Sequence, residues 1–130
     1  MRIEITLQGA PVTKKNSQRI CVNRATGRRF VKPSSQYEAW EEKMLWQLRW
    51  REEPIAERVN VKCIYYMPTK RRVDLVNLEE ATLDLLVKAK VLKDDCADIV
   101  ASMDGSCVRY DKANPRTEIV IETEDNGWNE

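Results

Sequence analysis

A chain of 130 residues, 42% hydrophobic and 33% charged, has enough apolar content for one compact core and too little length for two. It contains no histidine, which excludes His-based nucleophile triads, His-ligated metal motifs and imidazole acid–base chemistry, so any hydrolysis here must run on carboxylates, lysines and metal. The net charge of +1 alone argues nothing about a polyanionic partner. No apolar run approaches the roughly 20 residues that span a bilayer, so a cytoplasmic chain with no membrane partner is expected.

Charge distribution says more than its sum. Residues 10–33 carry Lys14, Lys15, Arg19, Arg24, Arg28, Arg29 and Lys32 with no acidic residue, whereas Glu118, Glu122, Glu124, Asp125 and Glu130 crowd the C-terminus. A polyanion would be drawn to one end of such a molecule.

In chain order, Ile3, Ile5 and Leu7 alternate with polar residues, the period-two signature of a strand with one buried face. Residues 9–17 read as a loop with Lys14 and Lys15 at its tip, either a phosphate contact or an ordinary solvated turn. Residues 18–33 form a hairpin around Ala25-Thr26-Gly27. Its arginines either meet DNA or guard an exposed strand edge.

Ser35 followed by Glu38 reads as a capping box opening a helix to about Glu52, before Pro54. Tyr37, Trp40, Met44 and Leu48 fall on one stripe, taken as core. Trp46 and Trp50 point away from it, which suggests a subunit interface in a homodimer, or else cover by a neighbouring loop.

Arg58 to Met67 alternates as a second strand, ended by Pro68. It delivers Lys70, Arg71 and Arg72 to Asp74, at the N-cap position of a helix from Leu75 to about Lys88 that buries Leu78, Ala81, Leu85 and Ala89. Asp94-Asp95 follows, then a strand from Ile99 to Met103 turning at Asp104-Gly105 as a hairpin into Cys107–Tyr110. A last strand runs over 117–123, and residues 126–130 are expected to fray. The cysteines, Cys21, Cys63, Cys96 and Cys107, show no C-x-x-C spacing and read as buried thiols rather than zinc ligands or disulfides. The elements amount to a single-domain α+β fold, with a mixed or mainly antiparallel sheet packed by two principal helices.

Read by residues alone, Asp74 is most simply a helix cap and Asp94-Asp95 a polar turn. The stretch MPTKRRVDLVNL, followed by EEATLDLLVKAKVLKDD, however, resembles the RusA-like Holliday junction resolvases, small dimeric, magnesium-dependent endodeoxyribonucleases. Their pattern is a basic turn, Asp-x-Asp-Asn-Leu opening a helix, a lysine one turn on, and an Asp-Asp pair after the helix. This chain keeps Asp74, Asn77, Leu78, Ala81, Asp84, Asp94 and Asp95; Val76 stands where the second aspartate would be and Glu80 where the lysine would be.

The resemblance implies a RusA-like nuclease domain over residues 1–125, acting on branched DNA as a homodimer in recombination and repair. It further implies Mg²⁺, with Mn²⁺ an option, and no organic cofactor. Magnesium takes oxygen ligands and keeps several waters, so two or three carboxylates suffice to hold it. Asp74 and Asp95 are then the metal pair and catalytic residues, with Asp94 a further ligand; the departures at Val76 and Glu80 suggest relocation, with Glu80, or Glu79 in second place, as the third acidic ligand and catalytic residue. Asp95 can reach Asp74 within one chain only if residues 89–95 run back along the helix. Lys14, Lys15, Arg19, Arg28, Arg29, Lys70, Arg71 and Arg72 are the implied DNA contacts. Two rivals are a junction binder that has lost catalysis through Val76 and Glu80, and a small adaptor with no nucleic-acid role.

Overall fold

The computed structural model describes residues 1–13 and 18–124, with residues 18, 19, 32 and 33 placed by their backbone alone. The long strands are those with the cleanest alternation. β1 (Arg2–Gln8) pairs antiparallel with β7 (Arg116–Thr123), and β7 pairs antiparallel with β4 (Val59–Met67). The other edge of β4 is shared by two short strands, β5 (Val100–Ser102) at its start and β6 (Cys107–Tyr110) at its end, both parallel to it. The sheet is therefore mixed and mainly antiparallel, as expected from the sequence.

Two helices, α1 (Ser35–Gln47) and α2 (Leu75–Lys88), cover one face of this sheet. The inward residues of β4 (Val59, Val61, Cys63, Tyr65) and β7 (Ile119, Ile121) are buried against Tyr37, Trp40 and Met44 of α1 and Leu78, Ala81, Leu85 and Leu86 of α2. Period two on the strands and period 3.6 on the helices bring both sets to one plane. The hydroxyl of Tyr65 would otherwise be stranded there. It lies 2.8 Å from Thr82 Oγ1, which donates in turn to the Leu78 carbonyl at 2.9 Å.

A separate two-stranded ribbon, β2 (Gln18–Val22) with β3 (Arg29–Pro33), leads straight into α1. This is the expected hairpin, with Gly27 at a positive φ of 72° in its turn. The Lys14–Lys15 tip and residues 126–130 lie outside the described residues.

Several local expectations are corrected. The cap of α1 is Ser34, whose side chain accepts from the Tyr37 N–H at 3.1 Å, so the Ser35–Glu38 capping box does not form. The helix stops at Gln47 rather than near Glu52. The Gln47 side chain is drawn to the end of β1, accepting from the Gln8 N–H at 2.7 Å and donating to its carbonyl at 2.9 Å, while Leu48 turns into the core. Trp50, now beyond the helix, packs partly against the core and its indole N–H lies 3.3 Å from the Glu53 carbonyl. It is covered by its own chain, unlike Trp46, which is 67% exposed.

Nor do β5 and β6 form a hairpin. Both run parallel to β4 and follow one another along its edge, joined by residues 103–106. The Asn60 side chain bridges this break, accepting from the Asp104 N–H at 2.8 Å and donating to its carbonyl at 3.2 Å. Gly105 sits at φ 88°, a left-handed conformation that favours glycine. Cys63 alone is fully buried among the four free thiols, and Cys96 is exposed.

Candidate active site and nucleic-acid interface

Asp74 opens α2 from an extended conformation. Its carbonyl accepts from the Asn77 and Leu78 N–H groups, but its carboxylate makes no cap bond to the backbone. The nearest partner of that carboxylate is the Asn77 side-chain amide, 3.3 Å away. A cap oxygen spent on a backbone N–H could not also serve a ligand, so the acid stays available at the exposed start of the helix.

The segment before it, residues 68–73, forms a ridge between two grooves. On one side, Thr69, Arg71 and Arg72 face Val12, Thr13 and Gln36, where the basic first loop enters. On the other, Met67, Val73, Val108 and Tyr110 form an apolar floor rimmed by Lys70, Arg71, Arg72 and Arg109. Lys70 Nζ lies 5.2 Å from the centre of the Tyr110 ring, which steadies a flexible cation against an aromatic face. The next loop is held by Asp111, whose carboxylate accepts from the Ala113 and Asn114 N–H groups and from Arg116 at 2.9 Å. These bonds, Arg116 first, hold the Asp111 carboxyl below the usual range. Arg116 in turn stacks over Tyr66, 3.8 Å from the ring centre.

An apolar floor with a cationic rim is the composition that receives a nucleic-acid backbone and an unstacked base together. Of the expected DNA contacts, the structure gathers Lys70, Arg71 and Arg72 here. Arg28 and Arg29 are on the separate ribbon, Lys14 and Lys15 lie outside the described residues, and of Arg19 only the backbone is described. Arg109, Tyr110 and Val108 were missed from the sequence, although an exposed Arg-Tyr pair ending a strand was a signal available there.

The carboxylates expected to share a metal do not meet within one subunit. After α2 the chain makes a left-handed turn at Lys90, φ 61°, closed by Lys90 N–H to the Val87 carbonyl and Val91 N–H to the Leu86 carbonyl. Val91 and Leu92 are then buried, and Leu92 bridges Ile55 ahead of β4. Residues 89–95 therefore do not run back along the helix. Two residues from Lys93 to Asp95 span about 7 Å, too little to return along a helix of about 20 Å. Asp94 and Asp95 stay at the far end of α2 from Asp74, where Asp94 Oδ1 accepts from the Asp95 N–H at 2.8 Å.

Glu80 is a full turn and more from Asp74. It stands six residues into the helix from Asp74, about 9 Å along the axis, and is exposed; with Glu41 and Asp84 its charge acts on the Tyr37 hydroxyl. Burial, then these three carboxylates, push that hydroxyl up to about 12. The neighbouring Glu79 carboxyl is raised by partial burial. Val76 is 72% exposed. Among the described residues, no three acidic or cysteine side chains gather as a group that could hold a metal ion.

Comparison with known proteins relates the chain to one family. The family model described as Endodeoxyribonuclease RusA matches residues 8–122, from the last residue of β1 almost to the end of β7. The chain is also similar to the crossover junction endodeoxyribonuclease RusA of Aquifex aeolicus (strain VF5), with 30% identity over 95 residues, 72% of this chain and 71% of that protein.

Proposed function

The chain belongs to the RusA family of endodeoxyribonucleases, and from that premise we propose that it resolves four-way DNA junctions by cutting phosphodiester bonds at the groove beside Asp74. The observation that carries this reading is an uncommitted carboxylate at a helix start, one residue beyond Val73 in the wall of a groove lined with four cations. Hydrolysis of a phosphodiester builds negative charge on the non-bridging oxygens. Lys70, Arg71, Arg72 and Arg109 are the groups that would hold the phosphates and offset that charge. Neither match favours the rival in which catalysis has been lost.

Two finer elements are part of the proposal. The chain acts as a homodimer, because paired nicks in a junction of two-fold symmetry call for two sites related in the same way. Cleavage depends on Mg²⁺ or Mn²⁺, whose ligands would include oxygens from the DNA or from the second subunit beside Asp74, since no three acidic side chains gather among the described residues. No helix among the described residues is long and apolar enough to cross a membrane.

The test is cleavage of an end-labelled synthetic four-way junction beside a linear duplex, with Mg²⁺, with Mn²⁺ and with chelator. Paired nicks in the junction alone, lost in Asp74→Asn, are expected. Junction binding without cleavage under every metal condition would sink the proposed activity, and equal cleavage of the duplex would sink the proposed substrate.

A further inference from the structure

The β2–β3 ribbon hydrogen-bonds to no other strand among the described residues. Ribbons this small are marginal in water unless one face is covered. Its register sets Ile20 opposite Val31 and Val22 opposite Arg29, so alternation puts these four side chains on one face. The three aliphatic ones are 72%, 61% and 56% exposed for Ile20, Val31 and Val22. A contiguous β-branched patch facing water is an interaction surface seeking a partner. It offers nothing to a phosphate, unlike the arginines Arg24 and Arg28 in the turn.

A complementary surface lies on the outer face of α1. Glu38, Glu42 and Trp46 follow one another at four-residue spacing, opposite the buried Tyr37–Trp40–Met44 stripe, and with Glu41, Leu45 and Arg49 they line a groove. Arg49 sits over the Trp46 ring at 5.1 Å, leaving the rest of the indole in solvent. The helix face is acidic around an apolar centre; the ribbon has arginines, no acid and an apolar centre. Within one folded chain both surfaces remain exposed.

We propose that the β2–β3 ribbon of one subunit docks by its Ile20–Val22–Val31 face on the acidic, Trp46-bearing face of α1 in a second copy of this chain, reciprocally about a two-fold axis. The inference rests on the dimeric reading above and names its surface. Arg29 shares the docking face and meets Glu42 of the partner subunit, while the turn arginines are left for DNA. Because the exchange is reciprocal, each dimer contains the contact twice.

Charge reversal in trans tests it. Glu42→Arg and Arg29→Glu are prepared as separate full-length proteins, checked for folding by circular dichroism, and followed by sedimentation velocity at micromolar concentration. Each variant alone is expected to raise the dimer dissociation constant about tenfold or more, since both contacts then oppose like charges. Mixed in equal amounts, the two are expected to recover wild-type association. In the mixed dimer one contact keeps both original charges and the other has both reversed. Variants that self-associate as tightly as wild type would overturn the contact and leave the dimer standing. A wild-type chain that stays monomeric would overturn the dimeric reading and the contact together. Unchanged association with weakened junction binding in Arg29→Glu would make the ribbon a DNA arm and refute the docking.

Discussion

Replacing Arg71 and Arg72 together by alanine should change how junction binding depends on salt, by an amount the groove itself sets. The rim carries four cations, Lys70, Arg71, Arg72 and Arg109. If each neutralises one phosphate, each contributes about 0.9 to the slope of log affinity against log salt, about 3.6 in all. Between about 50 and 200 mM salt, that part of the affinity falls roughly 150-fold, and the double variant retains a slope contribution of about 1.8, a fall of roughly 12-fold. Contacts elsewhere add equally to both proteins and cancel in the difference. The assay is fluorescence anisotropy of a labelled four-way junction across a salt series, with chelator present so that nothing is cut. Both arginines are exposed and their removal uncovers no core, so the fold should survive. A double variant whose slope lies within about 0.5 of wild type would show that the phosphates do not enter this groove.

Tyr110→Ala, which removes both the aromatic floor and the ring beneath Lys70, should weaken junction binding several-fold, whereas Tyr110→Phe should bind nearly as wild type in the same anisotropy assay. In the core, Thr82→Val strands the Tyr65 hydroxyl and should cost about 1–3 kcal/mol; Tyr65→Phe leaves the Thr82 bond to Leu78 intact and should cost about 1 kcal/mol, the order being readable from urea unfolding midpoints. Lys90→Gly relieves a left-handed residue at the end of α2 and should stabilise by about 1 kcal/mol; a lower melting temperature would contradict the strain inferred from that φ. The carboxyl of Asp111 is lowered by Arg116 in the folded state. Its contribution is therefore present above the unfolded pKa near 3.8 and lost as pH falls below it toward the folded value. Asp111→Asn should flatten that acid limb of stability in denaturation curves, and an unchanged limb would show that this carboxyl does not contribute to it.

Much of this protein could be read from local pattern, because burial on one face writes itself into the spacing of apolar residues. Alternation in Ile3–Ile5–Leu7 and Val59–Val61–Cys63–Tyr65 located β1 and β4, and the Tyr37–Trp40–Met44 stripe and the run after Asp74 located both helices and their inner faces. The basic turn before Asp74 was legible for the same reason: it is contiguous in sequence. Tertiary structure alone decided whatever depends on partners distant in the chain. Asp104-Gly105 has the residues of a hairpin turn, but β5 and β6 took β4 as a common parallel neighbour, with Asn60 mending the gap between them. The stop of α1 at Gln47 depended on β1, thirty-nine residues away, offering its terminal amide and carbonyl to the side chain. Asp94 and Asp95 were kept from Asp74 because burying Val91 and Leu92 beside Ile55 held the chain at the far end of α2. The groove exists because β6 brings Arg109 and Tyr110 alongside residues 69–73, and sequence spacing carries no record of that approach. Periodicity reports which face of an element is buried, since each residue meets that face locally. The packing of whole elements decides which surfaces then meet, since that free energy is shared among residues the sequence keeps apart.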